Sequence, residues 1–100
     1  MRKGVLELCI LRILSKGEAY TSGIVAALQA VDLLVVEGTI YPLLTRMKNA
    51  GTLGYRWAES PTGPPRKYYV ITPQGQSVLQ ELETAWNKVV DSVNSLSQTH

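Results

Sequence analysis

With 100 residues, 45% of them apolar and 18% charged, the chain has the composition of one small globular domain rather than of a disordered segment. No apolar run reaches the roughly 20 residues that cross a bilayer, and a net charge of +2 is too small by itself to announce a polyanionic partner. A single cysteine, Cys9, excludes an intramolecular disulfide, and a single histidine, His100 at the end of the chain, leaves none inside it for Ser/His/Asp catalysis.

From Lys3 to Ser15 the apolar residues Val5, Leu6, Leu8, Cys9, Ile10, Leu11, Ile13 and Leu14 nearly encircle a helix, with Glu7 and Arg12 as its polar breaks. A helix this apolar is buried on more than one side, so one side is expected in the domain core and another against the C-terminal helix of a second subunit. Cys9 then reads as a small buried hydrophobe. The same stretch, interrupted by Glu7 and Arg12, is a poor export signal, which favours a cytoplasmic location. Lys16, Gly17 and Glu18 end the helix. Tyr20, Thr21 and Ser22 offer capping hydroxyls to a second helix with its body at Ser22 to Ala30, and Ile24, Val25, Leu28 and Val31 repeat there at helical spacing. Asp32 to Val36, DLLVV, is an unusually apolar loop expected to cover the core or the edge of a pocket.

The stretch Glu37 to Gly51, EGTIYPLLTRMKNAG, organises the rest. Ile40, Leu43, Leu44 and Met47 make one narrow apolar stripe on a helix, and Gly51 marks its end. The opposite face carries Gly38, Thr39, Tyr41, Pro42, Thr45, Arg46, Lys48 and Asn49, with no carboxylate beyond the helix start. That chemistry suits an anionic partner. Pro42 is expected in the first turn, where its missing N–H has no intrahelical partner, so the helix should begin near Gly38 or Thr39 and leave its N-terminal end open to a phosphate.

Leu53 to Glu59 and Arg66 to Ile71 read as two strands joined by the turn-forming run Ser60 to Pro65. A hairpin directly after a recognition-type helix is the winged variant of the helix-turn-helix. Arg66 and Lys67 sit just past the loop, and strand alternation sends them to opposite faces, so either one can reach a phosphate backbone. By the same alternation, one of Tyr68 and Tyr69 is expected in the core. Charge is uneven: residues 1 to 72 hold nine Lys/Arg against five acids, net +4, whereas residues 73 to 100 hold Lys88 against Glu81, Glu83 and Asp91, net −2. The basic part is the part with the helix and hairpin.

Thr72-Pro73 is a strong helix start. From there Leu79, Leu82, Trp86, Val89, Val93 and Leu96 follow alternating gaps of three and four, a heptad seam whose simplest partner is the same seam in a second copy. Residues 1–72 thus form one DNA-binding unit and residues 73–100 a dimerisation helix. The fold class is mainly α with a small β-hairpin: a winged helix-turn-helix plus a C-terminal helix.

The pairing of EGTIYPLLTRMKNAGTL with PPRKYYVITPQG resembles the PadR family of bacterial transcriptional regulators, and the similarity extends over essentially the whole chain. The resemblance is to the short-tailed members that dimerise through one C-terminal helix. It implies a homodimeric DNA-binding repressor released by a small molecule. In multidrug-responsive members, paired tryptophans line a pore between subunits and sandwich flat aromatic ligands, and TAWNKVVDSV is similar to that stretch. The resemblance therefore makes Trp86 either a dimer anchor or a ligand platform, with Val89, Val93, Leu8 and Ile10 as walls and Asp91 or Glu7 as attractants for a cationic compound. The family's usual Gly-Tyr pair at the second helix is replaced here by Tyr20, Thr21, Ser22 and Gly23.

No glycine-rich phosphate loop, CxxC pair or HExxH motif is present, so neither a cofactor, a metal nor an enzymatic activity is expected. The rival readings are a winged-helix module that binds protein, and a DNA-binding regulator without an effector. Arg46, Lys48 and Asn49 on the outer face favour DNA, since Arg and Lys can donate to guanine and Asn can pair with adenine.

Overall fold

A computed structural model describes residues 2–33 and 35–98 of the chain. The elements in order are α1 (Arg2–Ser15), β1 (Ala19–Tyr20), α2 (Thr21–Ala30), α3 (Glu37–Asn49), β2 (Leu53–Ser60), β3 (Gly63–Ile71) and α4 (Pro73–Gln98). The strands form an antiparallel sheet in the order β1-β3-β2. This is the winged helix-turn-helix arrangement expected from the sequence.

One apolar cluster holds the domain together. It takes Leu8, Ile10, Leu11 and Leu14 from α1, Ile24, Val25 and Leu28 from α2, and Ile40, Leu43, Leu44 and Met47 from α3, then is closed by Leu53, Tyr69 and Leu79. The stripe read on α3 is thus the face that packs inward. Ile10, Leu11, Ile24, Leu28, Ile40 and Leu44 are fully buried, and truncating any one to alanine is expected to cost about 2–5 kcal/mol. Ile10 is therefore core, not the wall of an outward groove. Cys9 is partly buried against the cluster.

The second helix starts at Thr21 with Tyr20 as its N-cap, and no side-chain hydroxyl closes that cap. Thr21 and Ser22 instead occupy its first turn. In the following loop Leu33 and Val35 pack on the core, whereas Val31 and Val36 stand 67% and 66% exposed, so the apolar loop covers the core only in part. Leu34 and His100 lie outside the described residues. Asp32 adopts a left-handed backbone, φ 65°, a conformation that Asp tolerates better than most residues.

The start of α3 departs from expectation. The helix begins at Glu37, which places Pro42 in its second turn, inside the helix. Pro42 has no N–H to offer the Gly38 carbonyl, so that bond is absent. Glu37 itself occupies the first turn and faces the positive end of the helix with a carboxylate. At the other end, Gly51 takes φ 87°, its N–H bonds the Lys48 carbonyl at 3.0 Å and the Thr52 N–H bonds Met47 at 3.1 Å. This is a Schellman cap, which a left-handed glycine makes easy.

The hairpin is longer than the expected strands. β3 already begins at Gly63 and takes in Pro64 and Pro65. Between the pairs Ala58↔Arg66 and Ser60↔Gly63, the two prolines oppose the single residue Glu59, a bulge. Prolines are tolerated there because β1 pairs only with Tyr68 and Tyr69, leaving that end of β3 without a neighbour on one side.

A clasp joins the end of α3 to the start of α4. The Thr72 hydroxyl donates to the Gly51 carbonyl at 2.6 Å and accepts the Gly75 N–H at 3.0 Å, capping α4 as the Thr-Pro start implied. Gln74 Nε2 donates to the Ala50 carbonyl at 3.1 Å, and the Thr52 hydroxyl donates back to Met47 at 3.0 Å. Gly75 is buried so close to the strand entry that a Cβ there would lie 2.1 Å from the Thr52 carbonyl oxygen. Farther on, Arg12 of α1 donates to Glu83 of α4 at 2.9 Å.

Candidate nucleic-acid interface

Exposure follows the two faces of α3. Thr39, Tyr41, Pro42, Thr45, Arg46, Lys48 and Asn49 are all exposed, with Tyr41 at 50%. Two of them lean out of the row. Tyr41 turns toward the wing side of α2, and Lys48 Nζ lies 5.4 Å from the Tyr55 ring of β2.

The β1–β3 register sets up a groove beside this face. Tyr20 pairs with Tyr68, so as the chain turns into α2, Thr21 and Ser22 come alongside Lys67 and Arg66. The groove, about 360 Å³, is lined by Tyr20, Thr21, Ser22, Tyr41, Arg66, Lys67 and Tyr69. It therefore collects two cations, three phenol rings and the hydroxyls of a helix start with no acid in its first turn. Burial raises the Tyr69 phenol above its ordinary value, with Tyr41 and Tyr55 adding to the effect, so its hydroxyl keeps its proton at neutral pH.

Arg66 and Lys67 sit differently, a distinction alternation alone could not rank. Lys67 Nζ lies 4.6 Å from the Tyr55 ring, 5.3 Å from Trp57 and 6.0 Å from Tyr69, an aromatic enclosure on the α3 side of the sheet. Arg66 is exposed, with its guanidinium carbon 5.2 Å from the Tyr20 ring. Tyr69 is the core tyrosine of its pair, at 4% exposure, and Tyr68 lies on the opposite face, stacked on Tyr20 at 3.8 Å. The contributions of Tyr20, Thr21, Ser22 and Tyr69 to the groove were missed from sequence. A two-residue strand is too short for any periodic signal, and without β1 nothing ties α2 to the wing.

The second expected site divides along α4. Leu79 is 7% exposed and Leu82 packs against the core, so the seam begins as part of its own domain rather than as an outward face. Beyond them, Trp86, Val89, Val93 and Leu96 are 37%, 36%, 57% and 65% exposed. Trp86 and Val89, with Gly4, Val5, Leu8, Leu82 and Ala85, line an apolar groove of about 160 Å³ between α1 and α4. Leu8 and Val89 thus meet the tryptophan, while Val93 lies farther along the helix. Among the described residues, no group of three or more His, Cys, Asp or Glu side chains could hold a metal ion. No described helix is long and apolar enough to cross a membrane.

The model of a transcriptional regulator family, PadR-like, matches residues 10–81, the span from the core of α1 through the wing to the first turns of α4. The chain belongs to the PadR-like family of transcriptional regulators. A PadR-like transcription factor from Bacteroides fragilis is 53% identical over 96% of this chain and 93% of its own, with a TM-score of 0.84. A PadR-like regulator from Bacillus cereus is 41% identical over 96% and 94%, TM-score 0.84, and a PadR family regulator from Eggerthella lenta 33% over 96% and 90%, TM-score 0.77. None of the curated proteins matches. PadR regulators are DNA-binding proteins and not enzymes, which favours DNA over a protein-only partner.

Proposed function

We propose that the chain is a homodimeric repressor whose recognition helix α3 enters the major groove while the wing groove grips flanking phosphate. The observation that carries this is the convergence of Arg66, Lys67, Thr21, Ser22 and Tyr41 in one groove beside the exposed row Thr39, Pro42, Thr45, Arg46 and Asn49, with Lys48 at its edge. Side chains on the row read base edges; the groove holds backbone. Glu37 makes the N-terminus of α3 a poor phosphate seat, and the start of α2, beside Arg66, supplies that role instead.

In this reading residues 1–72 bind DNA and residues 73–100 dimerise, with Trp86, Val89 and Val93 meeting their counterparts in a second copy and Leu79 and Leu82 seating the helix on its own domain. Two such subunits place their recognition helices about one helical turn of DNA, or a small multiple of it, apart. The groove under Trp86 then becomes half of a cavity between subunits, and a flat aromatic compound held there shifts the angle between them. By linkage, a compound that weakens DNA binding must bind the DNA complex more weakly than the free protein. Footprinting on DNA upstream of the protein's own gene tests the first part; a dimer that protects no stretch there more than unrelated DNA overturns it. Calorimetry with aromatic compounds on wild type and Trp86→Ala tests the second, and equal affinity for both removes the platform.

A further inference from the structure

The outer face of the sheet, away from the core, carries a stack that runs across all three strands. Glu18, in the turn before β1, receives two hydrogen bonds from Arg56 of β2: Nε to Oε2 at 2.9 Å, and the terminal nitrogen to Oε1. The Arg56 guanidinium carbon lies 4.7 Å from the Tyr68 ring of β3. Tyr68 stacks on Tyr20 of β1 at 3.8 Å with 20° between the planes, and the Arg66 guanidinium lies 5.2 Å from Tyr20. The order is Glu18, Arg56, Tyr68, Tyr20, Arg66, with its last two members in the wing groove.

A two-residue strand has little backbone pairing with which to hold α2 against the wing. The stack supplies what the ladder lacks. Its first member ties the turn before β1 to the far strand β2, and its middle rings fix β1 against β3. A planar guanidinium suits this place because it can form a fork on a carboxylate while lying on a ring; a lysine ammonium cannot do both.

The geometry points to Arg56 as a positioning residue for DNA binding: clasped by Glu18 and seated on Tyr68, it sets Tyr20 and hence Arg66 and the start of α2 at the spacing that holds one backbone phosphate. It does so without touching DNA itself. This rests on the wing groove being a phosphate contact. It runs against simple charge counting, by which removing the acid Glu18 from a DNA-facing domain strengthens binding and removing Arg56 subtracts one contact.

The test uses the full chain and a mixed-sequence 24-base-pair duplex, with affinity followed against salt. Non-specific binding depends on phosphate contacts alone. Arg66→Ala is expected to lower the magnitude of the salt slope by about one. Arg56→Gln is expected to lower it by a similar amount, and Arg56→Gln with Arg66→Ala to lower it no further. Glu18→Gln is expected to weaken binding although it removes a negative charge, and Arg56→Lys to fail to restore the wild-type slope. Tighter binding by Glu18→Gln, or additive slope losses in the double variant, overturns the proposal by making Arg56 a phosphate contact in its own right. A wild-type protein that binds no duplex at low salt refutes the groove reading instead, so the two failures are distinguishable. Both Glu18 and Arg56 are over a third exposed, so the variants are expected to fold, which unchanged thermal melts verify.

Discussion

Lys67 and Arg66 are neighbours with the same sign and different tasks. Lys67 lies within 4.6–6.0 Å of three rings, so part of its interaction is internal to the wing. Its replacement by alanine is expected to reduce the salt slope of DNA binding by about one and also to loosen the Tyr55–Trp57 pair, which a change in Trp57 fluorescence reports. An unchanged slope removes Lys67 from the contacts. Glu18 offers a second check by titration. Hydrogen bonding from Arg56, reinforced by its charge, holds the Glu18 carboxyl below the ordinary carboxylate value of 4.5. A depressed acid favours the native arrangement fully above its unfolded pKa and loses that contribution as pH falls through the lower, native value. NMR titration is expected to find Glu18 protonating below 4.5 in the wild type and near it in Arg56→Gln. At this level the sequence showed which residues carry charge. It could not show that Arg56 is committed to Glu18, 38 positions away, because that pairing exists only once β2, β3 and β1 lie side by side.

Helices α1 to α4 could be read from periodicity, caps and the Gly51 terminator because each advertises itself over ten or more residues. β1 could not, and the hairpin strands were drawn too short because Pro64 and Pro65 signal a turn wherever sheet context is unknown. Pro42 misled for a related reason: its preference for the first turn is statistical, and the apolar stripe of α3 outweighs the single lost bond. Two helical glycines make opposite predictions. A Cβ on Gly38 meets nothing within 4 Å, so Gly38→Ala is expected to stabilise the protein by about 0.5–1 kcal/mol. At Gly75 the same methyl collides with the Thr52 carbonyl oxygen at 2.1 Å, backbone that cannot move aside without disturbing the α3–α4 clasp. Gly75→Ala is expected to destabilise by about 2–3 kcal/mol or more. Chemical denaturation of both variants checks the contrast, and two shifts of the same sign contradict it.

The molecule extends 59 Å along its longest axis and 27 × 21 Å across, because α4 projects beyond the domain that seats its first turns. Beyond those turns Trp86 and Val89 flank the groove against α1 and Val93 stands outward, the apolar surface that the proposed dimer covers. Val89→Asp with Val93→Asp is expected to give a monomer in sedimentation at micromolar concentration, with DNA affinity falling by well over tenfold as the second recognition helix is lost. A variant that remains dimeric moves the interface elsewhere. The heptad spacing announced this surface plainly, but not where it begins: Leu79 and Leu82 share the register with Trp86 and yet belong to the core, since α1 already lies against them.

The clasp of Thr72, Gln74 and Gly75 on Ala50, Gly51 and Thr52 gives α3 and α4 a common anchor. Trp86 stands 14 residues from Thr72, about 21 Å along α4, and the far end of α3 is about 20 Å from the same point. Arg46, Lys48 and Asn49 lie within five residues of Gly51, so the clasp holds the cationic end of α3 directly against the place where α4 sets out.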